Sequence, residues 1–225
     1  MNRISLILSC LALVSCTTTT DAQSKAPAPH NELYYQRASL FAELPIEAND
    51  IVFLGDSQTQ GCEWHELFGM PNIKNRGING DIIPGFLERV DPIVNGHPKK
   101  IFILGGANDV SHNLTADSVA HDMAILVDYI RKHSPESKIY VQTMLPINNS
   151  FGRYKTMVGK EDVIRQYNAL LPAMAAEKGF TLIDAYTHFA DKDGNLPKEY
   201  TNDGLHVMGP GYIHWRKLLL PYVVE

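Results

Sequence analysis

No stretch of this chain is apolar for long enough to cross a bilayer as a helix: the run from Ile4 to Val14 falls short of the roughly 20 residues that a spanning helix needs. Cysteine is scarce, three in 225 residues, which excludes a disulfide framework as the basis of the fold. Positive charge is scarce too. Lysine and arginine number 20 against 25 acidic residues, a net charge of −5 that becomes −6 without Arg3. Such a surface repels a phosphate backbone, so nucleic acid is not an expected partner. Internal repeats are absent. With 44% hydrophobic and 20% charged residues, the composition is that of one globular domain able to bury a sizeable core.

The first residues have the form of a secretion signal: a short polar start, the apolar run, then Leu13-Val14-Ser15-Cys16. Small residues before a cysteine are similar to a bacterial lipobox, in which the cysteine becomes the lipidated first residue of the mature chain. Cys16 directly abuts the apolar run. The competing cleavage point after Thr20-Asp21-Ala22 lies well beyond it, and a lipobox at Ser9-Cys10 would truncate it. Residues 1–16 are therefore expected to be a lipoprotein signal peptide with Cys16 as the lipidation site. Residues 17–31, with consecutive threonines and an Ala-Pro-Ala-Pro stretch, are expected to be a flexible tether, and 32–225 the folded domain. The expected location is exported and held at a membrane by acyl chains, facing the periplasm or the cell exterior. Acylation of Cys16 leaves Cys62 alone in the mature body, with no intramolecular disulfide.

Apolar runs of strand length at Ile51 to Leu54, Ile101 to Leu104, Ile139 to Met144 and Phe180 to Ile183, with a less apolar one near Ile73 to Arg76, alternate with longer helical patterns. Val119, Met123, Leu126, Val127 and Ile130 make one apolar stripe in a helix from Thr115 to His133, closed by Ser134-Pro135. A second helix is expected from Glu161 to Lys178, with Gly179 past its end, and a last one from Pro210 to Leu220. This alternation predicts an α/β fold, a doubly wound, flavodoxin-like, parallel five-stranded sheet covered on both faces.

Four short peptides stand out against that framework: Gly55-Asp56-Ser57-Gln58, Gly77-Ile78-Asn79-Gly80, Gly106-Ala107-Asn108-Asp109 and Asp203-Gly204-Leu205-His206. The first three follow predicted strands, at the sheet edge where open parallel sheets bind ligands. Ser57, at a strand-to-helix switch, reads as a nucleophile; alone, it would read better as a helix cap. Serine needs a base, and the base an anionic orienter. Asp203 and His206, three apart across one turn, meet that demand, with His214 as the rival base. Gly80 taken alone is a turn glycine and Asn108 a loop residue bonding its own backbone. Asp56 and Asp109 read as loop-fixing residues.

Together the four peptides resemble the SGNH hydrolases, also called the GDSL esterase and lipase family, over nearly the whole domain from Ile51 onward. The resemblance implies a three-layer α/β/α sandwich and ester hydrolysis without metal or other cofactor. It assigns catalysis to Ser57, Asp203 and His206, and the oxyanion hole to the backbone N–H groups of Ser57 and Gly80 and the side-chain amide of Asn108. Gln58 stands where leucine or isoleucine is common. A Gly-x-Ser-x-Gly elbow fails at Thr59, which sets the chain apart from α/β-hydrolases. Asp191-Lys192-Asp193-Gly194-Asn195 opens like a calcium loop, but Leu196 and Asn202 replace its turn glycine and bidentate glutamate, leaving a surface turn.

Selectivity is expected from two loops at the same edge: Cys62 to His65, with Trp64, and Leu145 to Lys160, with Asn148, Arg153 and Tyr154. Aromatic faces mixed with amides and a cation suit a sugar, although ordinary loop packing explains them equally well. No long apolar insertion suggests an acyl tunnel. The exported relatives that the chain resembles remove acetyl groups from carbohydrates, including sialic acids, so the resemblance implies a serine esterase taking short acyl groups from a glycan ester. A lysophospholipase or arylesterase of the same family, and a non-catalytic glycan-binding lipoprotein, are the alternatives. The oligomeric state stays open.

Overall fold

The computed structural model describes residues 30–225. The leader, Cys16 and most of the expected tether lie outside the described residues. The last two positions assigned to the tether belong to the folded body: Asn31 caps the first helix, its side chain accepting from the N–H of Tyr34, and His30 pairs with Glu88 at 2.9 Å.

Strands β1 (Ile51–Gly55), β2 (Ile73–Gly77), β3 (Lys100–Leu104), β4 (Lys138–Gln142) and β5 (Thr181–Ile183) form one parallel sheet in the order β2-β1-β3-β4-β5. This is the flavodoxin-like arrangement, whose order reverses between β1 and β3. Ten α-helices accompany it among the described residues: α1 (Glu32–Glu43), α2 (Ser57–Gln60), α3 (Trp64–Phe68), α4 (Ile83–Glu88), α5 (Asp91–Val94), α6 (Ala107–Ser111), α7 (Ala116–His133), α8 (Glu161–Lys178), α9 (Ala185–Phe189) and α10 (Gly209–Val224).

Because neighbouring strand residues face opposite ways, β1 feeds two separate cores. Val52 and Leu54 join Ile101, Ile103, Ile139 and Val141 under α4, α5, α7 and α8. Ile51 and Phe53 join Phe102 and Tyr140 under α3 and α10. In the second core the register sets Phe53 beside Phe102 and Phe102 beside Tyr140. With Trp64 they form a continuous stack at centroid spacings of 4.4, 4.9 and 4.5 Å. All five stripe residues of α7 are fully buried, and Thr115 caps that helix by accepting from the N–H of Ser118. β4 ends two residues before its expected limit because the backbone of Met144 bonds both ways to the Asn168 side chain of α8, at 2.8 and 3.0 Å, rather than to a strand.

Candidate active site

Three loops at the carboxyl end of the sheet converge where the strand order reverses. Ser57 is the first residue of α2, immediately after β1. Asp56 caps that helix, accepting from the N–H of Gln58 at 3.0 Å. Gly80 lies in the turn after β2, and Asn108 is the second residue of α6, after β3. The loop before α10 then brings His206 over the edge. Its Nε2 lies 2.9 Å from Ser57 Oγ, and its Nδ1 2.7 Å from Asp203 Oδ2.

The Asp203 turn is held by its own backbone. Oδ1 accepts from the N–H groups of Leu205 at 2.9 Å and His206 at 2.8 Å. Partial burial by itself raises the Asp203 carboxyl, but hydrogen bonds from the His206 ring and these two N–H groups outweigh it and hold the group down at about 2. Asp203 is therefore an anion at neutral pH, positioned to keep the Nδ1 proton on His206 and leave Nε2 free to accept from Ser57.

Gly80 has φ +76°, in the left-handed region that a side chain disfavours, while a β-carbon added there would find Asn31 Nδ2 nearest, at an ordinary 3.6 Å. Its glycine is thus required by backbone conformation and not by crowding. The Asn108 side chain donates to the carbonyl of Asp81 at 2.8 Å. That bond fixes the amide orientation and leaves its second N–H for the cleft. Among the described residues, the backbone N–H groups of Ser57 and Gly80 meet no protein acceptor. Ser57, Gly80, Asn108, Tyr154 and His206 all line one cleft of about 260 Å³. Beneath it a recess of about 10 Å³, lined by Gln58, Ala107, Met144, Leu145 and others, shares Ala107 and Leu205 with the cleft. That is room for roughly one water-sized or methyl-sized group.

The expected substrate-binding residues fare differently. Trp64 corrects the expectation: it is 1% exposed, stacked on Phe53, with its indole N–H spent on the carbonyl of Thr59 at 2.8 Å. Asn148 is also a correction. Its amide donates to the carbonyl of Leu196, its Oδ1 accepts from Ser150, and its backbone N–H holds Gly204 at 2.8 Å. That last contact explains Gly204, whose φ is +88° and whose β-carbon would stand 2.2 Å from the Asn148 carbonyl oxygen. Arg153 corrects the expectation too: it is exposed and does not line the cleft. Tyr154 does line the cleft, and its hydroxyl also reaches Asp203 Oδ2 at 3.2 Å and His206 Nδ1 at 3.1 Å. The rival base His214 is elsewhere, on α10, stacked against His188 with its Nε2 bonded to the His188 carbonyl. The Asp191 carboxylate folds its own turn, accepting from the N–H groups of Asp193 and Asn195.

Two supporting residues carried no signal in the sequence. Gln58, at the position that departs from the family pattern, is buried and donates to the carbonyl of Leu205 at 2.9 Å, tying the Ser57 turn to the His206 loop. Arg89 reaches from beyond α4 to Asp81 Oδ2 at 2.8 Å and to the carbonyls of Arg76 and Gly55 at 2.8 and 3.0 Å. One guanidinium thus clamps the ends of β1 and β2 to the loop carrying Gly80.

Fold and site together define an α/β protein with a cleft at the switch point of its sheet in which Ser57, Asn108 and His206 are set among apolar neighbours such as Ala107, Met157 and Leu205. Residues 53–212 match the model of the GDSL-like lipase/acylhydrolase family, and the chain belongs to that family of hydrolases. Human (Homo sapiens) platelet-activating factor acetylhydrolase IB subunit alpha2 is 31% identical over 177 residues, covering 72% of this chain and 71% of that one. A GDSL-like lipase from Bacteroides thetaiotaomicron VPI-5482 superposes with a TM-score of 0.73 at 24% identity, over 84% of this chain and 96% of its own. The acetyl xylan esterase AlAXEase does so with a TM-score of 0.64 at 19% identity, over 78% and 100%. At those identities the two structural likenesses are likenesses of fold.

Proposed function

We propose that this protein is a serine carboxylic-ester hydrolase that removes short acyl groups, acetyl foremost, from hydroxyls of a carbohydrate. The observation that carries the proposal is the unbroken path from Ser57 Oγ through the His206 ring to Asp203, 2.9 and 2.7 Å long in its two links.

Ser57 Oγ bonds to the carbonyl carbon as its proton passes to His206 Nε2, and the charge arriving on the carbonyl oxygen is met by the N–H groups of Ser57, Gly80 and Asn108. Collapse of that intermediate breaks the bond to the alcohol, which leaves with the proton from His206. Water, deprotonated by the same ring, then attacks the acyl-serine; the acid is released and Ser57 recovers its proton. Asp203 stays ionised throughout.

The small recess beneath the cleft favours acetyl over a fatty chain, since a long acyl group has nowhere to extend inward. A relative whose name is an acetylhydrolase supports the same choice of acyl group. Ser57→Ala is expected to lower aryl acetate hydrolysis by a factor of about 10³ or more while the fold is kept, with acetate esters turned over faster than octanoate esters by the wild type. A preference for the longer chain, or undiminished turnover by Ser57→Ala, overturns the reading.

Export and anchoring through Cys16 form part of the proposal, resting on the cysteine that abuts the apolar leader. Mass spectrometry of the mature amino terminus is expected to find a diacylglyceryl-modified Cys16, and an unmodified terminus after Ala22 refutes it.

A further inference from the structure

Across Asn79 and Gly80 from the nucleophile, the surface opens into a second and larger cavity of about 540 Å³. It shares Asn79, Gly80 and Asn108 with the candidate cleft but is lined by neither Ser57 nor His206. One wall comes from His30, Asn31 and Tyr34, which precede the segment matched by the family model. Glu88, at the end of α4, and His112, just past α6, supply other parts of it.

The wall is firmly built. Tyr34 is 5% exposed and its hydroxyl donates to the carbonyl of Gly85 at 2.9 Å. The His30 ring stacks on Tyr34 at 3.7 Å between centroids and reaches the Glu88 carboxylate at 2.9 Å. Asn31 Oδ1 is engaged by the N–H of Tyr34 at 2.9 Å, which leaves its Nδ2 beside Gly80.

Among the described residues, no lysine or arginine lines this cavity, so a phosphate finds no permanent cation there. Its carboxylates are already engaged, Asp81 with Arg89 and Glu88 with His30. The remaining wall sets amides and imidazoles among apolar surface from Tyr34, Ile82 and Pro84, donors and acceptors beside apolar faces, the pattern that matches the hydroxyls and C–H faces of a sugar ring.

We infer that this cavity is a saccharide subsite. It takes a neutral sugar unit next to the acylated one, and the segment from His30 to Tyr34 sets the preference for oligosaccharide over small esters. The inference rests on the short-acyl esterase reading above: with the acetyl group directed into the inner recess, the alcohol portion has to leave the cleft outward, where this cavity adjoins it.

The test compares aryl acetate, acetylated xylose, and the acetylated xylose di- and trisaccharides, using wild type, His30→Ala, His112→Ala and Asn31→Ser; the last keeps a capping oxygen for α1. Wild type is expected to gain about tenfold in kcat/KM, mostly through KM, from the monosaccharide to the longer esters, the worth of one or two added hydrogen bonds. The variants, melting like wild type, are expected to lose that gain, so that the ratio of oligosaccharide to aryl acetate turnover falls. A wild type indifferent to saccharide length, or a gain that survives in all three variants, overturns the subsite while Ser57-dependent aryl acetate turnover leaves the esterase reading standing. A variant-sensitive gain seen only with a short-chain acetylated phosphocholine lipid overturns the saccharide assignment. Aryl acetate turnover that persists in Ser57→Ala removes the parent reading itself.

Discussion

Tyr154 is the residue whose surroundings argue for more than its position in the sequence does. Its ring meets the His206 ring edge-on at 5.5 Å, and its hydroxyl donates to Asp203 while lying against His206 Nδ1. In the proposed mechanism, a group bonded to the carboxylate that orients the base belongs to positioning, acting through its neighbours. Tyr154→Phe keeps the edge-on packing and deletes the hydroxyl, so kcat on aryl acetate is expected to fall about tenfold with KM little changed, the scale of one hydrogen bond to a charged group. A raised KM at unchanged kcat would instead make it a substrate contact. At this scale the sequence was legible for the meeting of Ser57, Asp203 and His206, whose short peptides carry their own local geometry. It was misleading for Trp64 and Asn148: an indole and an amide that could face a sugar serve equally well when their polar atoms are satisfied by backbone carbonyls inside the fold.

The sheet and the long helices could be read because their signals are long. Each of β1 and β3 is a run of buried residues, and α7 repeats its apolar stripe over 18 residues. Helices α2, α3, α5, α6 and α9, at 4 or 5 residues, are too short to show a period. α1 escaped notice for a different reason. It buries only Tyr34 and Phe41, two turns apart, among polar and charged neighbours, so no stripe announces it. The Arg89 clamp was equally hidden, since its partners are backbone carbonyls that belong to no particular residue type and become neighbours only when β1 and β2 pair.

Taken whole, the molecule keeps acidic groups in its interior beneath the cleft, where Asp56, Asp81 and Asp109 are all at most 2% exposed. Burial pushes Asp56 and Asp109 up to about 7, and their neighbouring carboxylates add to the rise. Between the ordinary carboxylate range and about 7 the folded chain therefore holds protons that the unfolded chain has released. The stability tied to these two groups is complete at the acid end and is lost as pH rises through their folded values, opposite in sense to Asp203, whose contribution is lost as pH falls toward 2. Asp109→Asn mimics the protonated form and keeps an acceptor for the N–H of Ile83. Its unfolding free energy relative to wild type, from urea titration, is expected to improve by about 1 kcal/mol or more between about pH 5 and about pH 8. A difference that stays constant across that interval would refute the buried-proton account.

Ser57 follows the first strand, and His206 precedes the last helix, 149 residues later. That helix is fastened at its far end, where Lys100 Nζ donates to the carbonyls of Tyr222 and Val223 at 2.7 and 3.0 Å. In the mechanism proposed above, a nascent chain without its final segment lacks the His206 half of the pair, so competence is expected no earlier than the seating of that segment. Turnover, followed during refolding, would then serve as a late alarm for the docking of the chain's last segment.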